Sequence, residues 1–131
     1  MNPAQIVLVE DNPGDVFLID MALTEISIPF KLTQFNNGLD ALKALSEDNR
    51  FIPDAILLDL NTPKSDGFEV LIQLRNSPRF SKVPIAILTS SQARSDKYRA
   101  DLQKVRFIQK PSRLADFLST VGQAVKEMLH Q

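Results

Sequence analysis

Short apolar runs alternate along the chain with longer segments in which apolar residues recur every three or four positions. The runs are rich in Val, Ile and Leu, and they cover residues 5–9, 30–35, 55–58, 84–88 and 105–109. Runs of this length predict β-strands, and runs that are apolar throughout are typical of a parallel sheet covered on both faces. The run at 30–35 alternates instead, with Leu32 on one side and Thr33 and Phe35 on the other.

The segments between and after the runs predict five helices. The first extends from Val16 to about Glu25, and Pro29 forbids its continuation. The fourth, over residues 92–104, has few apolar positions and is expected to be the least firmly packed. The last is predicted to have Ser112 as its N-cap. The apolar positions of the five helices are, in chain order, Val16, Ile19, Leu23 and Ile26; Leu39, Leu42 and Leu45; Phe68, Leu71 and Leu74; Tyr98, Ala100 and Leu102; and Leu114, Phe117, Leu118, Val121, Val125, Met128 and Leu129.

Strands that alternate with helices through short loops predict a doubly wound α/β fold. The usual five-stranded form is the flavodoxin-like parallel sheet with strand order 2-1-3-4-5 and five helices, since the crossover connections are right-handed. Its topological switch point lies between the first and third strands, where ligands of such sheets bind. The length of 131 residues predicts a single domain spanning 1–131, with no output domain.

Composition narrows the class of protein. Apolar residues make up 44% of the chain and charged residues 24%, as in ordinary globular domains. A formal net charge of −1 gives no reason to expect a nucleic acid or a membrane surface as partner. The absence of cysteine excludes disulfides and thiolate chemistry. No signal peptide or long apolar segment is present in the sequence, so a cytoplasmic location is expected.

Polar residues follow four of the predicted strands at the point where each strand ends. Glu10 and Asp11 follow the first strand, Asp59 the third, Thr89 the fourth and Lys110 the fifth. Carboxyl ends of parallel strands meet at one edge, so these side chains are expected to converge there. Carboxylates a few Å apart repel one another by roughly a few kcal/mol per pair, so the cluster requires a cation. Oxygen ligands without His or Cys select a hard ion, which predicts Mg²⁺.

This group of residues fits phosphoryl transfer. Beside a metal ion, the carboxylate of Asp59 can attack a phosphoryl group, because the metal neutralises the oxygens that would repel it. Lys110 and Thr89 can each hold a phosphoryl oxygen, and Lys110 can pair with Asp59 when no phosphoryl group is bound. The backbone carbonyl of Asn61 lies two residues past Asp59 and is placed to complete the metal shell.

The chain resembles the receiver domain of two-component response regulators. The likeness rests on the acid pair Glu10-Asp11, on Asp59, on Thr89 and on Lys110-Pro111, and it covers nearly the whole chain. It implies that Asp59 accepts a phosphoryl group from the phosphohistidine of a partner histidine kinase. Such a domain signals by phosphorylation-dependent protein contacts with an unidentified target, and it catalyses only its own phosphorylation and dephosphorylation.

The resemblance also implies roles for individual residues. Glu10, Asp11, Asp59 and the carbonyl of Asn61 would hold Mg²⁺, for which Mn²⁺ can substitute. Thr89 would move to the phosphoryl group, and the rotamer of Phe107 would report that movement. The Lys110–Pro111 bond would be cis. Separately from the resemblance, the fifth strand and its flanking helices are the expected surface for a target protein or for a homodimer, because the fourth helix has few apolar anchors.

The loop after the third strand narrows the likeness further. The stretch from Asp59 to Gly67, together with Leu88-Thr89-Ser90-Ser91, is similar to the stand-alone regulators that pair with cyanobacterial phytochrome kinases. A phytochrome-like kinase is therefore a candidate partner. Thr62 departs from the family pattern, which usually has a large apolar residue at this position.

Two other classes of protein share part of this pattern. The segment from Asp59 to Thr62 superficially resembles the Asp-x-Asp-x-Thr loop of haloacid-dehalogenase-like phosphatases, but Asn61 cannot protonate a leaving group. A flavodoxin-like FMN carrier needs backbone donors facing a phosphate after the first strand, where Glu10 and Asp11 would repel it. Steady phosphate release from a small ester would indicate the phosphatase, and a coloured purified protein would indicate the flavin carrier.

Basic residues are concentrated near the fourth helix, at Arg94, Lys97, Arg99, Lys104 and Arg106. Acidic residues lie among them, at Asp96 and Asp101. This mixture predicts a solvated or protein-contacting face rather than a nucleic-acid site.

Overall fold

A parallel β-sheet with helices on both faces forms the protein. The computed structural model describes residues 2–48, 51–64, 66–90 and 94–130, with residues 94 and 95 described by their backbone alone. Within these ranges the strands are β1 (Ala4–Val9), β2 (Phe30–Phe35), β3 (Ala55–Asp59), β4 (Ile85–Thr89) and β5 (Arg106–Gln109). The helices are α1 (Pro13–Glu25), α2 (Gly38–Glu47), α3 (Gly67–Asn76), α4 (Arg94–Leu102) and α5 (Leu114–Leu129). The strand order is β2-β1-β3-β4-β5, all pairs parallel, which confirms the predicted fold class.

Two apolar layers cover the sheet, because successive side chains of a strand point to opposite faces. Leu8, Leu57 and Leu88 pack against α1 and α5 on one face. Val7, Ile56 and Ile87 face α2, α3 and α4 on the other. The central strands β3 and β4 are buried along their whole length, as their continuous apolar runs predict. β2 divides its side chains between the layers as predicted, with Leu32 on the α1/α5 side and Phe35 on the opposite side.

α1 begins three residues earlier than the predicted start at Val16. Pro13 occupies the first helical position, where its missing N–H leaves no intrahelical bond unmade. The side chain of Asn12 caps the helix by accepting a hydrogen bond from the backbone N–H of Asp15 at 3.1 Å. Asp15 therefore lies in the first helical turn rather than in a turn before the helix, and this position brings it to the edge of the sheet.

Three predictions for individual helical residues are wrong. Ser112 is not the N-cap of α5, because Arg113 takes that position and makes no side-chain capping bond. Leu114 and Leu39 are exposed, with relative accessibilities of 55% and 49%. Each lies in the first turn of its helix and belongs to neither of the two apolar layers. The remaining predicted positions of α5 are buried or half-buried against α1 and the sheet.

α4 is loosely packed, as predicted. Of its described side chains only that of Ala100 is buried, while Tyr98 and Leu102 are more than 60% exposed. The helix therefore presents aromatic and aliphatic surface to solvent beside β5. Among the residues that the structure describes, no helix is both long enough and apolar enough to cross a lipid bilayer.

Candidate functional site

The residues that follow the strands meet at the carboxyl edge of the sheet, as predicted. Val9 of β1 pairs in register with Leu58 of β3, so Glu10 and Asp59 come next on adjacent strands. Thr89 ends β4, and its carbonyl accepts a hydrogen bond from the backbone N–H of Lys110 at 2.7 Å. The sheet register thus brings two acids, a threonine and a lysine to one place.

The ammonium group of Lys110 lies among three carboxylates. Its Nζ is 2.6 Å from Glu10 Oε1, 2.7 Å from Asp59 Oδ2 and 2.8 Å from Asp15 Oδ2. The side chains of Glu10 and Asp59 are 1% and 5% exposed, so these charges have little access to water. The predicted pairing of Lys110 with Asp59 is present, and a single cation offsets charge from all three acids.

Asp15 is a member of the cluster that the sequence reading missed. A helix that starts at Val16, as the sequence predicts, leaves Asp15 before the first helical turn. The signal that identifies it is Asn12-Pro13, a capping residue followed by proline at the first helical position. With the helix starting at Pro13, the side chain of Asp15 leaves the first turn beside the strand ends and reaches Lys110.

Burial and mutual contacts shift the pKa values of two of these groups. Burial, together with a hydrogen bond shared with Asp59, raises the pKa of Glu10 from 4.5 to about 7, against the opposing effect of Lys110. Burial acts to lower the pKa of Lys110, but its hydrogen bonds to Asp15, Asp59 and Glu10 outweigh this effect and raise it above the ordinary value. Lys110 is therefore firmly charged at neutral pH.

Asn61 connects the ends of β3 and β4. Its backbone N–H donates to Asp59 Oδ1 at 2.7 Å, and its side-chain amide donates to Thr89 Oγ1 at 3.3 Å. Asp59 therefore has each carboxylate oxygen bonded to a different donor, Asn61 on one side and Lys110 on the other. These two bonds fix the orientation of the carboxylate at the edge of the sheet.

The other predicted residues lie around this centre at different depths. Asp11 is exposed at the rim beside Glu10, and Thr89 is fully buried. Phe107 is half-buried on β5 and packs against the core layer that includes α4. The Lys110–Pro111 bond is trans, so the cis bond implied by the resemblance is wrong here. The two forms of such a bond differ by only about 0.5–1 kcal/mol, so the dipeptide alone does not decide between them.

The oxygen ligands at this site are of the kind that a hard divalent cation prefers, but their side chains are not arranged as a complete metal-binding site. Among the described residues, no three His, Cys, Asp or Glu side chains stand together as a metal-binding group. Lys110 takes the central place between the acids instead. Glu10, Asp59 and the rim residue Asp11 offer only oxygen ligands, the kind that Mg²⁺ prefers.

The loop after Asp59 joins the site to α3 and α4. Thr62 is buried, and its hydroxyl has no hydrogen-bond partner within the described part of the chain. Asp66 caps α3 by accepting a hydrogen bond from the N–H of Phe68 at 2.9 Å. Arg99 of α4 lies 3.6 Å from the Asp66 carboxylate, and its guanidinium stacks 4.0 Å from the centre of the Phe68 ring. The loop thus has a direct contact with α4.

Known proteins are similar to this chain in sequence and in fold. A family model described as response regulator receiver domain matches residues 6–122. The probable methanogenesis regulatory protein FilR2 from Methanothrix harundinacea is 35% identical over 130 residues, which cover 96% of this chain and 83% of FilR2. Response regulator Rcp1 from Synechocystis sp. is 36% identical over 98 residues, which cover 72% of this chain and 67% of Rcp1.

Two solved structures are also similar. The phosphorylated cyanobacterial phytochrome response regulator RcpA has a TM-score of 0.89 at 31% identity, covering 99% of this chain and 96% of RcpA. The Mn²⁺-bound form of Rcp1 has a TM-score of 0.88 at 31% identity, covering 98% of this chain and 96% of that one. The family match spans most of the chain, and it includes all the residues that meet around Lys110 at the ends of the strands. On this evidence, the chain belongs to the response regulator receiver domain family.

Proposed function

We propose that this receiver domain accepts a phosphoryl group on Asp59 from the phosphohistidine of a partner histidine kinase, in a reaction that depends on Mg²⁺. The observation that supports the proposal is the contact between Lys110 Nζ and Asp59 Oδ2 at 2.7 Å, within a buried group of acids. A carboxylate held by a cation at a strand end is oriented for attack on phosphorus. The P–N bond of the donor breaks and a P–O bond to Asp59 forms, while the imidazole takes up a proton.

Each neighbour of Asp59 has a stated part in this proposal. Lys110 transfers one of its hydrogen bonds from Asp59 to a phosphoryl oxygen, and the Thr89 hydroxyl donates to another. Glu10, Asp11, Asp59 and the carbonyl of Asn61 would hold the metal ion, and a bound Mg²⁺ or Mn²⁺ would neutralise charge on the transferred group. The Mn²⁺-bound form of Rcp1 is the precedent for a divalent ion in a similar structure.

Labelling by acetyl phosphate tests the chemistry without a kinase. Intact mass measurement in Mg²⁺ should show the gain of one phosphoryl group, and chelation of the metal should prevent it. Asp59→Asn should abolish labelling while circular dichroism shows an unchanged fold. The matched control is Asp20→Asn, which changes an exposed acid of α1 and should label like the parent. Labelling of the Asp59→Asn protein at another residue would refute the assignment.

The proposed kinase is phytochrome-like, because RcpA is a phytochrome response regulator. FilR2, which is similar at a comparable identity, is a probable methanogenesis regulatory protein and not a phytochrome regulator by its name. The decisive test is therefore a comparison of kinases as phosphoryl donors. Phosphotransfer from a purified phytochrome kinase should be at least tenfold faster than transfer from a kinase without a photoreceptor domain. Equal rates from both donors would reject the phytochrome assignment and leave the chemistry of Asp59 unaffected.

The proposed output surface is β5 with the helices on either side of it, read by a target protein or by a second copy. Phosphorylation adds nearly two negative charges next to Thr89, and Phe107 lies on the neighbouring strand beside α4. The exposed side chains of Tyr98 and Leu102 supply apolar contact area. Leu102→Glu should weaken association in analytical ultracentrifugation of the phosphorylated protein, whereas Ile52→Glu, at an exposed site outside this surface, should not. Equal association of both variants would exclude the surface.

A further inference from the structure

A surface cavity near the amino-terminal ends of the strands, opposite to the end that carries Asp59, is lined by three cationic side chains. Its volume is about 320 Å³, and no carboxylate is among the described residues that line it. We call it the basic cavity and define it by its lining residues, which are Arg75, Pro84, Ile85, Lys104, Arg106 and Met128. They come from the end of α3, the starts of β4 and β5, and the end of α5, so the cavity lies at the edge away from Asp59.

One cation of the basic cavity, the guanidinium of Arg75, is held in place by backbone carbonyls. Arg75 Nη1 donates to the carbonyls of Val83 at 2.8 Å and Ser81 at 3.2 Å, which fixes the guanidinium while its other N–H groups make no further bond to described residues. Lys104 has a left-handed φ of 56° in the turn before β5. Neither Arg75 nor Lys104 forms an ion pair with any residue that the structure describes.

The charge of the residues that line the basic cavity, counted with the ion-pair partner of Arg106, stays positive. Glu127 offsets Arg106 through an ion pair of 2.9 Å. The carboxyl ends of α3 and α5 each carry roughly half a negative charge, which together offset about one more cation. An excess of roughly one positive charge is left, beside an apolar wall formed by Pro84, Ile85 and Met128. Burial also lowers the pKa of Arg75, so a bound anion would relieve the cost of desolvating this charge.

We propose that the basic cavity binds a small phosphate ester, with its phosphoryl group between Arg75, Lys104 and Arg106. Guanidinium groups match phosphate oxygens with two parallel hydrogen bonds, and a lysine adds a point charge. The organic part of the ester lies against the apolar wall. The site is separate from Asp59 and does not depend on phosphorylation.

Binding can be measured by NMR on the ¹⁵N-labelled full chain in EDTA, which removes metal-dependent binding at the other edge. The probes are adenosine 5′-monophosphate, adenosine and inorganic pyrophosphate at constant ionic strength. The monophosphate should give saturable shifts at the amides of the lining residues. Adenosine should bind roughly tenfold more weakly or not at all. Equal binding of adenosine, or no saturable shift at millimolar concentrations, would overturn the proposal.

Variants separate a specific site from general attraction of anions. Lys104→Glu should weaken binding of the monophosphate by roughly tenfold or more, and Lys104→Arg should retain it. Lys43→Glu makes the same change of net charge on the exposed face of α2 and should alter binding by less than about twofold. Pyrophosphate carries phosphoryl groups without an organic part. Tight binding of pyrophosphate would show that the cations supply most of the affinity, and it would still support the site. An equal loss in the Lys43→Glu protein would show unspecific attraction and reject the proposal.

Discussion

Glu10 is a buried acid whose negative charge is costly to keep in the folded chain. It is buried against Asp59, and its pKa is raised from 4.5 to about 7. A carboxyl whose folded pKa is raised contributes stability that is complete below pH 4.5, where both states are protonated or nearly so. Between about pH 4.5 and pH 7 the unfolded state has released the proton of Glu10 while the folded state still holds it. The contribution therefore decreases as the pH rises and is lost once the pH exceeds about 7.

Glu10→Gln should therefore make the protein more stable at pH 8, by an amount of the order of 3 kcal/mol or less, and the gain should shrink toward pH 5. Glutamine imitates the neutral acid, and Lys110 keeps Asp15 and Asp59 as partners. Urea unfolding in EDTA at both pH values measures the difference. Glu69→Gln, at an exposed position of α3, is the control. A variant less stable than the parent at pH 8 would contradict the expectation.

Thr62 carries a buried hydroxyl without a hydrogen-bond partner among the described residues. Removing such a group while keeping its shape avoids a desolvation penalty of about 1–3 kcal/mol. Thr62→Val should raise the free energy of unfolding by roughly 1 kcal/mol. Thr62→Ser, which keeps the hydroxyl and loses the methyl group, should lower it. If chemical denaturation ranks serine above valine, the hydroxyl has a partner in solution and the expectation is wrong.

The helices and strands were predictable where their apolar pattern extends over several turns or is bounded by proline. β3 and β4 are continuous apolar runs, and α5 repeats its apolar residues over four turns, so their type and location follow from the sequence. Leu39 and Leu114 have the correct spacing but lie in first turns and belong to neither apolar layer. Helical spacing gives the direction of a side chain and does not tell where the neighbouring layer ends.

α3 begins where its backbone lies directly against the strand that carries Asp59. A Cβ added at Gly67 would lie 3.0 Å from Leu60 Cα, 2.8 Å from Leu60 Cδ2 and 3.3 Å from the carbonyl oxygen of Asp59. Gly67→Ala should therefore move the start of α3, lower the free energy of unfolding by about 1–3 kcal/mol and slow the labelling of Asp59 by acetyl phosphate.

Gly122 of α5 is the matched control for this substitution. Its added Cβ would meet Ile26 Cγ2 at 3.0 Å and the Ala22 carbonyl oxygen at 3.3 Å, so a shift of a few tenths of an ångström between α1 and α5 would admit it. Gly122→Ala should cost less, because alanine gains about 1 kcal/mol of helix propensity, and it should leave the labelling rate unchanged. Unchanged labelling in the Gly67→Ala protein would show that the contact with Leu60 does not position Asp59.

At the scale of the whole molecule, the convergence of the site was predictable because strand order alone determines which ends are neighbours. The acids after β1 and β3 had to meet once the order 2-1-3-4-5 was assigned. Asp15 could not be placed in this way, since its position depends on the first turn of α1 rather than on a strand end. The isomer of the Lys110–Pro111 bond was also beyond this reasoning, because tertiary contacts decide between two forms of similar energy.

Divalent metal should couple the acidic edge to the stability of the entire fold. A ligand that binds only the folded state at 100 times its dissociation constant raises the free energy of unfolding by about 2.7 kcal/mol. Mg²⁺ should therefore shift the urea midpoint upward at pH 8. The shift should shrink at pH 6, because Glu10 holds a proton below about pH 7 in the folded chain and the metal must displace it.

Substitution of the rim acid separates this effect from a general response to salt. Asp11→Asn should lose most of the Mg²⁺-dependent shift at pH 8, whereas Asp20→Asn, an exposed acid of α1, should keep it. Added NaCl at matched ionic strength should leave all three proteins nearly unchanged, since screening acts weakly on buried pairs. A full shift in the Asp11→Asn protein would remove this residue from the proposed metal ligands. A shift of equal size at pH 6 and pH 8 would mean that the metal binds without displacing the proton of Glu10.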